Sequence, residues 1–358
     1  MPKLPDDIDR YRSTCTRFLA GHGIQSTAEW LARIPPETER DRYGEGGVVE
    51  ALEAEICKVL GKSAAAFMPS GTMAQQIALR IHADRRNCRV VAFHPTCHLE
   101  VVEDRAYQRL HGLLAVKVGD PGAVMTLDDL RSVPTRLAAV LFELPQRELG
   151  GVLPAWKDLV NQVEHVRSRG AAVHMDGARL WESTPFYKKT PAQVAALFDT
   201  VYVSFYKGLG GLAGACLAGP EDVIAEARVW RKRHGGTLFG MWPNAAAALV
   251  GLRERLPLMP RYHKHAVAIA AKLRRVRGVE ILPDPPQTNM MRLVLRTTER
   301  KIAAAACRIA REQGVYTLKW NIPGPTAGTR LTELSVGDAT LEFTPQEVAD
   351  LVAELVSR

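Results

Sequence analysis

The stretch DTVYVSFYKGLGGLAGACLAG, residues 199–219, joins an apolar run, one lysine and a cluster of glycines. The apolar run predicts a buried strand that ends near Lys207. The glycines leave the lysine sterically open and let a flat ligand approach the backbone. Lys207 therefore has two interpretations: it ends a strand and points to water, or its amine reacts with a carbonyl group.

The string GLGGLA at 208–213 also fits the G-x-G-x-x-A pattern of dinucleotide-binding loops. That pattern needs a long helix after the glycines and an acidic residue about twenty positions further on. Here GACLAG is strand-like and the region near residue 230 is basic, which disfavours a dinucleotide site. A plain tight turn between two strands remains as the alternative.

A carboxylate follows a second apolar run, in VHMDGARLW at 173–181. Asp176 ends this run and Arg179 lies three residues further on. A buried carboxylate needs a cation. That cation is either Arg179, in an internal ion pair, or a ligand group such as a protonated pyridine nitrogen.

The segment PSGTMAQQ at 69–76 is predicted to connect a strand to a helix through small residues. Ser70, Gly71 and Thr72 would offer hydroxyls and free N–H groups at a helix N-terminus, where phosphate binds readily. Serine and threonine also cap helices that bind nothing. Taken together, however, a phosphate seat, an acid for a pyridine nitrogen and a lysine for an aldehyde match the three functional parts of pyridoxal 5′-phosphate.

Strand-like and helix-like segments alternate along the first two thirds of the chain, as in RVVAFHP, LAAVLFELP and AAVHMDGA. This alternation predicts an α/β fold with a mostly parallel sheet covered by helices, whose ligands bind at the carboxyl ends of the strands. Residues 246–358 predict a smaller α+β domain after a large domain at 43–245. Residues 1–42, with RYRSTCTRFLAGHG and TAEWLARI, predict a helical arm.

Composition excludes several classes of protein. The 358 residues carry a net charge of +8, yet the basic residues are scattered and lack interleaved aromatics, so nucleic-acid binding is not expected. No apolar stretch reaches the length of a membrane span. The six dispersed cysteines predict free thiols in a reducing compartment, hence the cytoplasm. His94, Cys97 and His98 in HPTCH raise zinc as an alternative, but no second ligand cluster accompanies them.

At this point the sequence resembles the threonine aldolase/β-eliminating lyase family of pyridoxal-phosphate enzymes, fold type I, within the aspartate aminotransferase superfamily. The similarity covers about residues 43–340. It is carried, in family order, by YGEGG, FMPSGTMAQQIAL, HLEVVEDRAYQRLHG, HMDGARLWES, SFYKGLGGLAGACLAG, WRKRHGG and TNMMRLVL.

The resemblance implies a role for each matching residue. Lys207 is similar to the lysine that condenses with the cofactor aldehyde, and Asp176 to the partner of the pyridine nitrogen. Arg179 would contact the substrate carboxylate or the cofactor's 3′ oxygen. His98 is similar to a catalytic histidine stacked on the cofactor ring, unless it only begins a helix. The phosphate would be held by Ser70, Gly71 and Thr72, and Ser204 would also bind the cofactor.

Two further residues are implied to bind substrate. Arg330, in GTRLTELSV, is similar to the arginine that binds the substrate α-carboxylate with its fork-shaped guanidinium; a surface strand arginine is the alternative. Gln146 occupies the place of a family histidine near the substrate hydroxyl. Because glutamine cannot act as a base at neutral pH, this difference favours a substrate other than plain threonine.

Other departures point the same way. The family's N-terminal SDT stretch has no match, a phosphate-contacting arginine is replaced near Leu238 or Phe239, and Tyr206 stands where a small residue is common. The implied activity is cleavage of a β-hydroxy-α-amino acid into glycine and an aldehyde. β-Elimination, transaldol exchange, racemisation and a catalytically silent fold remain open. The resemblance also implies a homodimer or homotetramer with shared active sites. No metal is expected, because HPTCH is not accompanied by a second ligand cluster.

Overall fold

The computed structural model describes residues 7–318 and 321–357. The chain divides into two compact units. The larger contains Thr27–Glu148 and Leu153–Pro257; the smaller contains the described residues as far as Ser26, Leu149–Val152 and the described residues from Leu258 onward. This division differs from the boundaries drawn at 42 and 245, the second of which falls inside a helix, Trp242–Arg255.

The strands of the described chain are numbered in order. They are β1 (Arg17–Phe18), β2 (Ala64–Met68), β3 (Val90–Phe93), β4 (Leu114–Lys117), β5 (Ala139–Glu143), β6 (Ala172–Gly177), β7 (Thr200–Ser204), β8 (Ala215–Gly219), β9 (Val279–Leu282), β10 (Met290–Leu295), β11 (Val315–Tyr316), β12 (Ile322–Pro323) and β13 (Arg330–Ser335).

The α-helices are numbered in the same way. They are α1 (Thr27–Ala32), α2 (Gly47–Leu60), α3 (Gly71–Arg85), α4 (His98–Val101), α5 (Ala106–His111), α6 (Leu127–Arg131), α7 (Trp156–Ser168), α8 (Leu180–Tyr187), α9 (Pro191–Ala195), α10 (Glu221–Arg233), α11 (Trp242–Arg255), α12 (Met259–Leu273), α13 (Glu299–Gln313) and α14 (Pro345–Val356). Short 3₁₀ turns lie at Ile8–Tyr11, Arg147–Leu149, Leu256–Leu258 and Thr340–Glu342.

The larger unit is built on a seven-stranded sheet in the order β2-β8-β7-β6-β5-β3-β4. Strands β4, β3, β5, β6 and β7 are parallel, and β8 is antiparallel to both β7 and β2. All strands except β8 therefore run in one direction, and their carboxyl ends meet at one edge. The residues that follow β2, β3, β5, β6 and β7 all lie at this edge, which is where such sheets bind ligands.

The central strands are apolar on both faces because helices cover both. Every residue of β6 and β7 is buried. On one face, apolar residues of α3 and α10 such as Ile77, Ala78 and Ile224 pack against Ala66, Met68 and Leu217 of the sheet. The predicted parallel sheet flanked by helices is confirmed.

The smaller unit contains an antiparallel sheet in the order β12-β13-β10-β9, with α12, α13 and α14, so the predicted smaller α+β part is confirmed. The helix predicted within RYRSTCTRFLAGHG, residues 10–23, is wrong. Arg17 and Phe18 instead form β1, which pairs in parallel with Val315 and Tyr316. The amphipathic pattern is short, and Gly21 and Gly23 have positive φ, so pairing with a distant strand outweighs local helix formation. Among the described helices, none has the length and hydrophobicity that crossing a membrane requires.

Candidate active site

Lys207 lies three residues beyond the end of β7, where the chain turns back into β8. The N–H of Gly210 donates to the carbonyl of Lys207 at 2.9 Å, and the N–H of Gly211 donates to the carbonyl of Phe205 at 2.7 Å. Gly210 has φ +61°, a conformation that favours glycine. The glycines thus form a tight turn between antiparallel strands. Because no helix follows them, a dinucleotide-binding loop is excluded.

The surroundings of Lys207 make its amine more reactive than an ordinary lysine. Burial lowers the pKa of Lys207, and the positive charge of Arg179 lowers it further. Asp176, Glu143 and Glu182 act in the opposite direction but do not cancel these effects. A larger fraction of the amine is therefore neutral, and the neutral amine is the nucleophile.

Asp176 lies in β6, the neighbour of β7, and is fully enclosed by protein. Its Oδ1 accepts the N–H of Ala178 at 3.0 Å. Burial raises its pKa, while the charge of Lys207 lowers it. No ion pair joins Asp176 to Arg179, so the internal pair considered from the sequence does not form. The carboxylate therefore remains available to a ligand cation.

The N-terminus of α3 follows β2 at the same edge of the sheet. The Ser70 Oγ accepts the N–H of Met73 at 3.3 Å and caps the helix. Within the described chain, the N–H groups of Gly71 and Thr72 have no hydrogen-bond partner. Two free donors at the positive end of a 15-residue helix suit a phosphate group.

Gly71 has a steric reason to be glycine. A Cβ at this position would overlap with the hydroxyl and ring of Tyr202, which is buried in β7. The Tyr202 ring therefore packs directly against the backbone that carries the free N–H groups.

We expect Gly71→Ala to lower the free energy of unfolding by about 1–3 kcal/mol because the new methyl displaces Tyr202. The displacement also moves the two free N–H groups, so the dissociation constant for pyridoxal phosphate should rise roughly tenfold. Chemical unfolding and fluorescence titration measure the two effects. Gly240→Ala is the matched control, since its Cβ would meet Trp242 at an ordinary 3.4 Å; equal behaviour of the two variants would contradict the expectation.

His98 begins α4 and forms a pair with a buried carboxylate. Its Nδ1 lies 2.8 Å from Oε1 of Glu103, whose side chain is almost inaccessible to solvent. With Nδ1–H donating to Glu103, the Nε2 atom of neutral His98 can accept a proton. The pairing gives His98 an oriented ring, which a histidine that only begins a helix does not require.

The nearby His94 has a different function. Its Nε2 lies 2.8 Å from the carbonyl oxygens of Asp120 and Ala123, so it is an N–H donor to the backbone. Its Nδ1 then accepts the N–H of Thr96 at 3.2 Å. Among the described residues, no group of three or more histidines, cysteines or acidic residues is arranged to hold a metal.

Gln146 is buried beyond the end of β5, with its amide oriented by the protein. The Nε2 donates to Oγ1 of Thr96 at 3.0 Å and lies 3.3 Å from Nδ1 of His94. The carbonyl oxygen of Gln146 accepts no hydrogen bond from the described residues. The amide therefore has one oxygen left for a substrate group or water.

The remaining predicted residues differ in what surrounds them. Ser204 is buried at the end of β7. Arg179 precedes α8 and has no ion-pair partner in the described chain. Arg330 belongs to the smaller unit, where it donates to Oδ1 of Asn321 at 2.7 Å and forms an ion pair with Glu299 at 3.2 Å. Its contact with substrate stays a prediction.

Two acidic residues of the site, Glu143 and Glu182, were not predicted from the sequence. Glu143 ends β5 and is paired with Asp176 across the sheet. Burial and the charge of Asp176 raise the pKa of Glu143 to about 7. Glu182 is buried in α8, where a Cβ on Gly208 would overlap its carboxylate, and burial raises its pKa as well. The signal for Glu143 was its position: AVLFE ends in an acid just as AVHMD does.

These residues fit one cofactor. A lysine with a lowered pKa, a buried carboxylate without an ion pair and a helix with two free N–H groups suit an aldehyde, a pyridinium and a phosphate respectively. The fold and the site together define a pyridoxal-phosphate-dependent enzyme of fold type I, and the predicted cofactor and fold class are confirmed by the comparisons that follow.

A sequence model of the β-eliminating lyase family matches residues 28–298. The chain belongs to the β-eliminating lyase family and is a pyridoxal-phosphate-dependent lyase. It is 28% identical over 297 residues to low-specificity L-threonine aldolase 1 of Arabidopsis thaliana, covering 80% of this chain and 82% of that protein. It is 30% identical over 275 residues to low specificity L-threonine aldolase of Escherichia coli O157:H7, covering 74% and 79%.

A solved structure is similar over the whole chain. It is that of a protein from Listeria monocytogenes EGD-E, provisionally described as an L-allo-threonine aldolase, with a TM-score of 0.91 and 39% identity over 98% of both chains. The predicted family is confirmed.

Proposed function

We propose that this lyase cleaves the Cα–Cβ bond of a β-hydroxy-α-amino acid into glycine and an aldehyde. The relatives named above are threonine aldolases, and the site contains the groups this reaction needs. The observation that carries the proposal is the meeting of Lys207, Asp176 and the His98–Glu103 pair at one edge of the sheet. The bound cofactor would accept the electron pair of the bond that breaks.

Lys207 would hold the cofactor covalently through its amine and yield that position to the amino group of the substrate. Its lowered pKa provides the neutral amine for this exchange. Asp176 would face the pyridine nitrogen and keep it protonated, since a buried carboxylate without an ion pair is stabilised by a cation. The free N–H groups of Gly71 and Thr72, with Ser70 and Ser204, would hold the phosphate.

The proton of the substrate β-hydroxyl needs an acceptor. Gln146 has no basic atom at neutral pH, so we assign proton removal to Nε2 of His98, whose ring is oriented by Glu103. The free carbonyl oxygen of Gln146 would accept a hydrogen bond from a substrate hydroxyl and orient it. Arg179 would bind the substrate carboxylate, which matches the planar guanidinium.

A panel of β-hydroxy-α-amino acids tests the proposal. The purified enzyme with pyridoxal phosphate should release glycine and an aldehyde in equal amounts from at least one of them. His98→Gln should lower kcat by roughly 10²–10⁴-fold. Release of a keto acid would show β-elimination instead, and loss of Cα deuterium without cleavage would show racemisation; either result would replace the proposal.

We further propose that the enzyme is a cytoplasmic homodimer or homotetramer. The six cysteines are free thiols, as a reducing compartment requires. Tyr43, Leu238 and Phe239 form an exposed apolar cluster, 55%, 46% and 64% accessible, in which the rings of Tyr43 and Phe239 lie 5.4 Å apart. Such a patch suits an interface between copies. A monomeric mass in sedimentation analysis would contradict this.

A further inference from the structure

We propose that Glu182 is a positioning residue for Lys207: its buried carboxylate holds the backbone of Gly208 and thereby fixes the chain from which the reactive amine extends. The inference rests on the proposed function in one respect, the attachment of the cofactor to Lys207. It does not depend on which amino acid is cleaved. The three residues all belong to the larger unit.

The first observation is the close approach of Glu182 to Gly208. A Cβ on Gly208 would overlap the carboxylate of Glu182, and the three atoms nearest to such a Cβ all belong to the Glu182 side chain. Gly208 is not among the glycines with positive φ, so its φ is one that other residues adopt. The contact with Glu182, rather than the backbone conformation, is therefore what requires a glycine directly after Lys207.

The second observation is the hydrogen bonding of the Glu182 carboxylate. Glu182 is only 2% accessible to solvent, and the N–H groups of Gly208 and of Glu182 itself donate to its carboxylate. Within the described chain Oε2 has no hydrogen-bond partner, so Oε1 is the atom that accepts. A hydrogen bond to a carboxylate is stronger than one between neutral groups, and at a buried position water cannot easily replace it.

The third observation is that the chain around Lys207 is held at other points as well. The indole N–H of Trp181, also in α8, donates to the carbonyl of Ser204 at 3.1 Å. On the other side of the lysine, the guanidinium of Arg255 in α11 donates to the carbonyl of Leu209 at 2.9 Å. These two contacts fix the turn at a distance of two or three residues from Lys207. The contact from Glu182 fixes the residue directly next to it.

The position of Lys207 matters because its amine must meet the cofactor aldehyde at bonding distance. Misplacing a reacting group by about 1 Å can slow a reaction roughly 10²-fold. Gly208 shares a peptide bond with Lys207, so a shift of Gly208 moves the lysine directly. Loss of the Glu182 carboxylate would therefore displace the amine even though the contacts made by Trp181 and Arg255 remain.

The first test measures hydrogen exchange of the Gly208 amide in the enzyme saturated with pyridoxal phosphate. Glu182→Ala should exchange this amide roughly 10- to 100-fold faster than the natural protein, because a hydrogen bond to a charged group is lost. Glu182→Gln keeps a side-chain oxygen that can accept the N–H, so its exchange should stay within about threefold of the natural rate. If Glu182→Ala exchanges the amide at the natural rate, the carboxylate does not hold Gly208 and the proposal is overturned.

The second test measures how fast added pyridoxal phosphate becomes attached to Lys207, by absorbance and by borohydride reduction at timed intervals. The rate should fall roughly 10²-fold in Glu182→Ala and stay within about threefold of the natural value in Glu182→Gln. Glu53→Ala is the matched control, since Glu53 is also a buried glutamate that accepts a backbone N–H, that of Phe67 at 2.7 Å. It should lower the thermal midpoint and leave the attachment rate almost unchanged.

Two results of the second test would contradict the positioning role. An equal loss of rate in Glu53→Ala would show that any loss of buried anchoring slows attachment. A rate in Glu182→Gln as low as in Glu182→Ala would show that the negative charge, rather than the held backbone, is what Lys207 requires. Neither test uses a substrate, so a failure of the proposed cleavage would appear separately, as the absence of a released aldehyde.

A double variant tests the contact itself. Gly208→Ala alone should slow attachment at least roughly tenfold, because the new methyl pushes against Glu182. In the Glu182→Ala background the same methyl meets no carboxylate, so adding Gly208→Ala should change the rate less than about threefold. Gly211→Ala is the control, since its Cβ would meet the carbonyl oxygen of Phe205 at 2.9 Å in either background. If Gly208→Ala has the same effect in both backgrounds, Glu182 and Gly208 are not coupled and the proposal is overturned.

Discussion

Lys207→Ala is expected to abolish covalent attachment of pyridoxal phosphate and to lower kcat by on the order of 10³-fold or more. Lys207 lies in the turn that follows β7. The negative charges of Asp176, Glu143 and Glu182 act on its amine. Treatment with borohydride followed by peptide mass spectrometry should place the cofactor on Lys207 in the natural protein and on no residue in the variant.

Lys62→Ala is the matched control for this result. Lys62 is also a partly buried lysine whose pKa is lowered by burial, but its ammonium donates to the carbonyl of Phe198. Lys62→Ala therefore tests whether burial alone makes a lysine reactive in this fold. Cofactor attached to Lys62, or full activity in Lys207→Ala with an unchanged circular dichroism spectrum, would show that the reactive amine has been assigned wrongly.

Asp176→Asn is expected to lower kcat by on the order of 10²–10³-fold with little change in the fold. The amide oxygen can still accept the N–H of Ala178, so the turn after β6 keeps its hydrogen bond. The lost feature is the negative charge, without which the pyridine nitrogen is not held protonated and withdraws electrons poorly. Steady-state kinetics with the substrate found in the panel, together with the absorbance of the bound cofactor, measure the effect.

Asp199→Asn provides the comparison. Asp199 directly precedes β7, and its side chain contacts the beginning of β6. Asp199 accepts the N–H of Val173 at 2.8 Å and forms an ion pair with Arg167 at 3.0 Å. It therefore anchors β6 much as Asp176 does, but away from the carboxyl edge. Asp199→Asn should change stability and leave kcat within a few-fold; an equal loss of kcat in both variants would show that Asp176 acts only by anchoring the strand.

Much of the fold was accessible from local patterns. Apolar runs such as AAVHMDGA and DTVYVSFYKG predict buried strands, and the helices between them follow from spacing and glycine stops. The failure near the N-terminus has a physical cause: β1 is two residues long and exists because Val315 and Tyr316 lie beside it. A pairing partner almost 300 residues away leaves no trace in the local pattern.

The candidate site, like the fold, could be predicted from the sequence only in part. Lys207, Asp176 and the Ser70–Thr72 turn were visible because each combines a strand end with an unusual residue. Glu182 could not be predicted from the sequence, because an acidic residue within a helix is usually on the surface. Only the structure shows that Gly208 packs against it. Tyr202 was not visible because its contact with Gly71 joins two elements more than 100 residues apart.

The sequence by itself determined the chemistry that this protein can carry: one lysine after an apolar strand, an acid after another and a glycine-containing helix start. Those features depend on residue type and on neighbours in the chain, and both can be read directly from the sequence. Only the tertiary structure decided the electrostatics of the site. The raised pKa of Glu143, the lowered pKa of Lys207 and the orientation of His98 by Glu103 arise from charges and burial contributed by separate strands and helices. Such effects exist only once the sheet has brought those elements together.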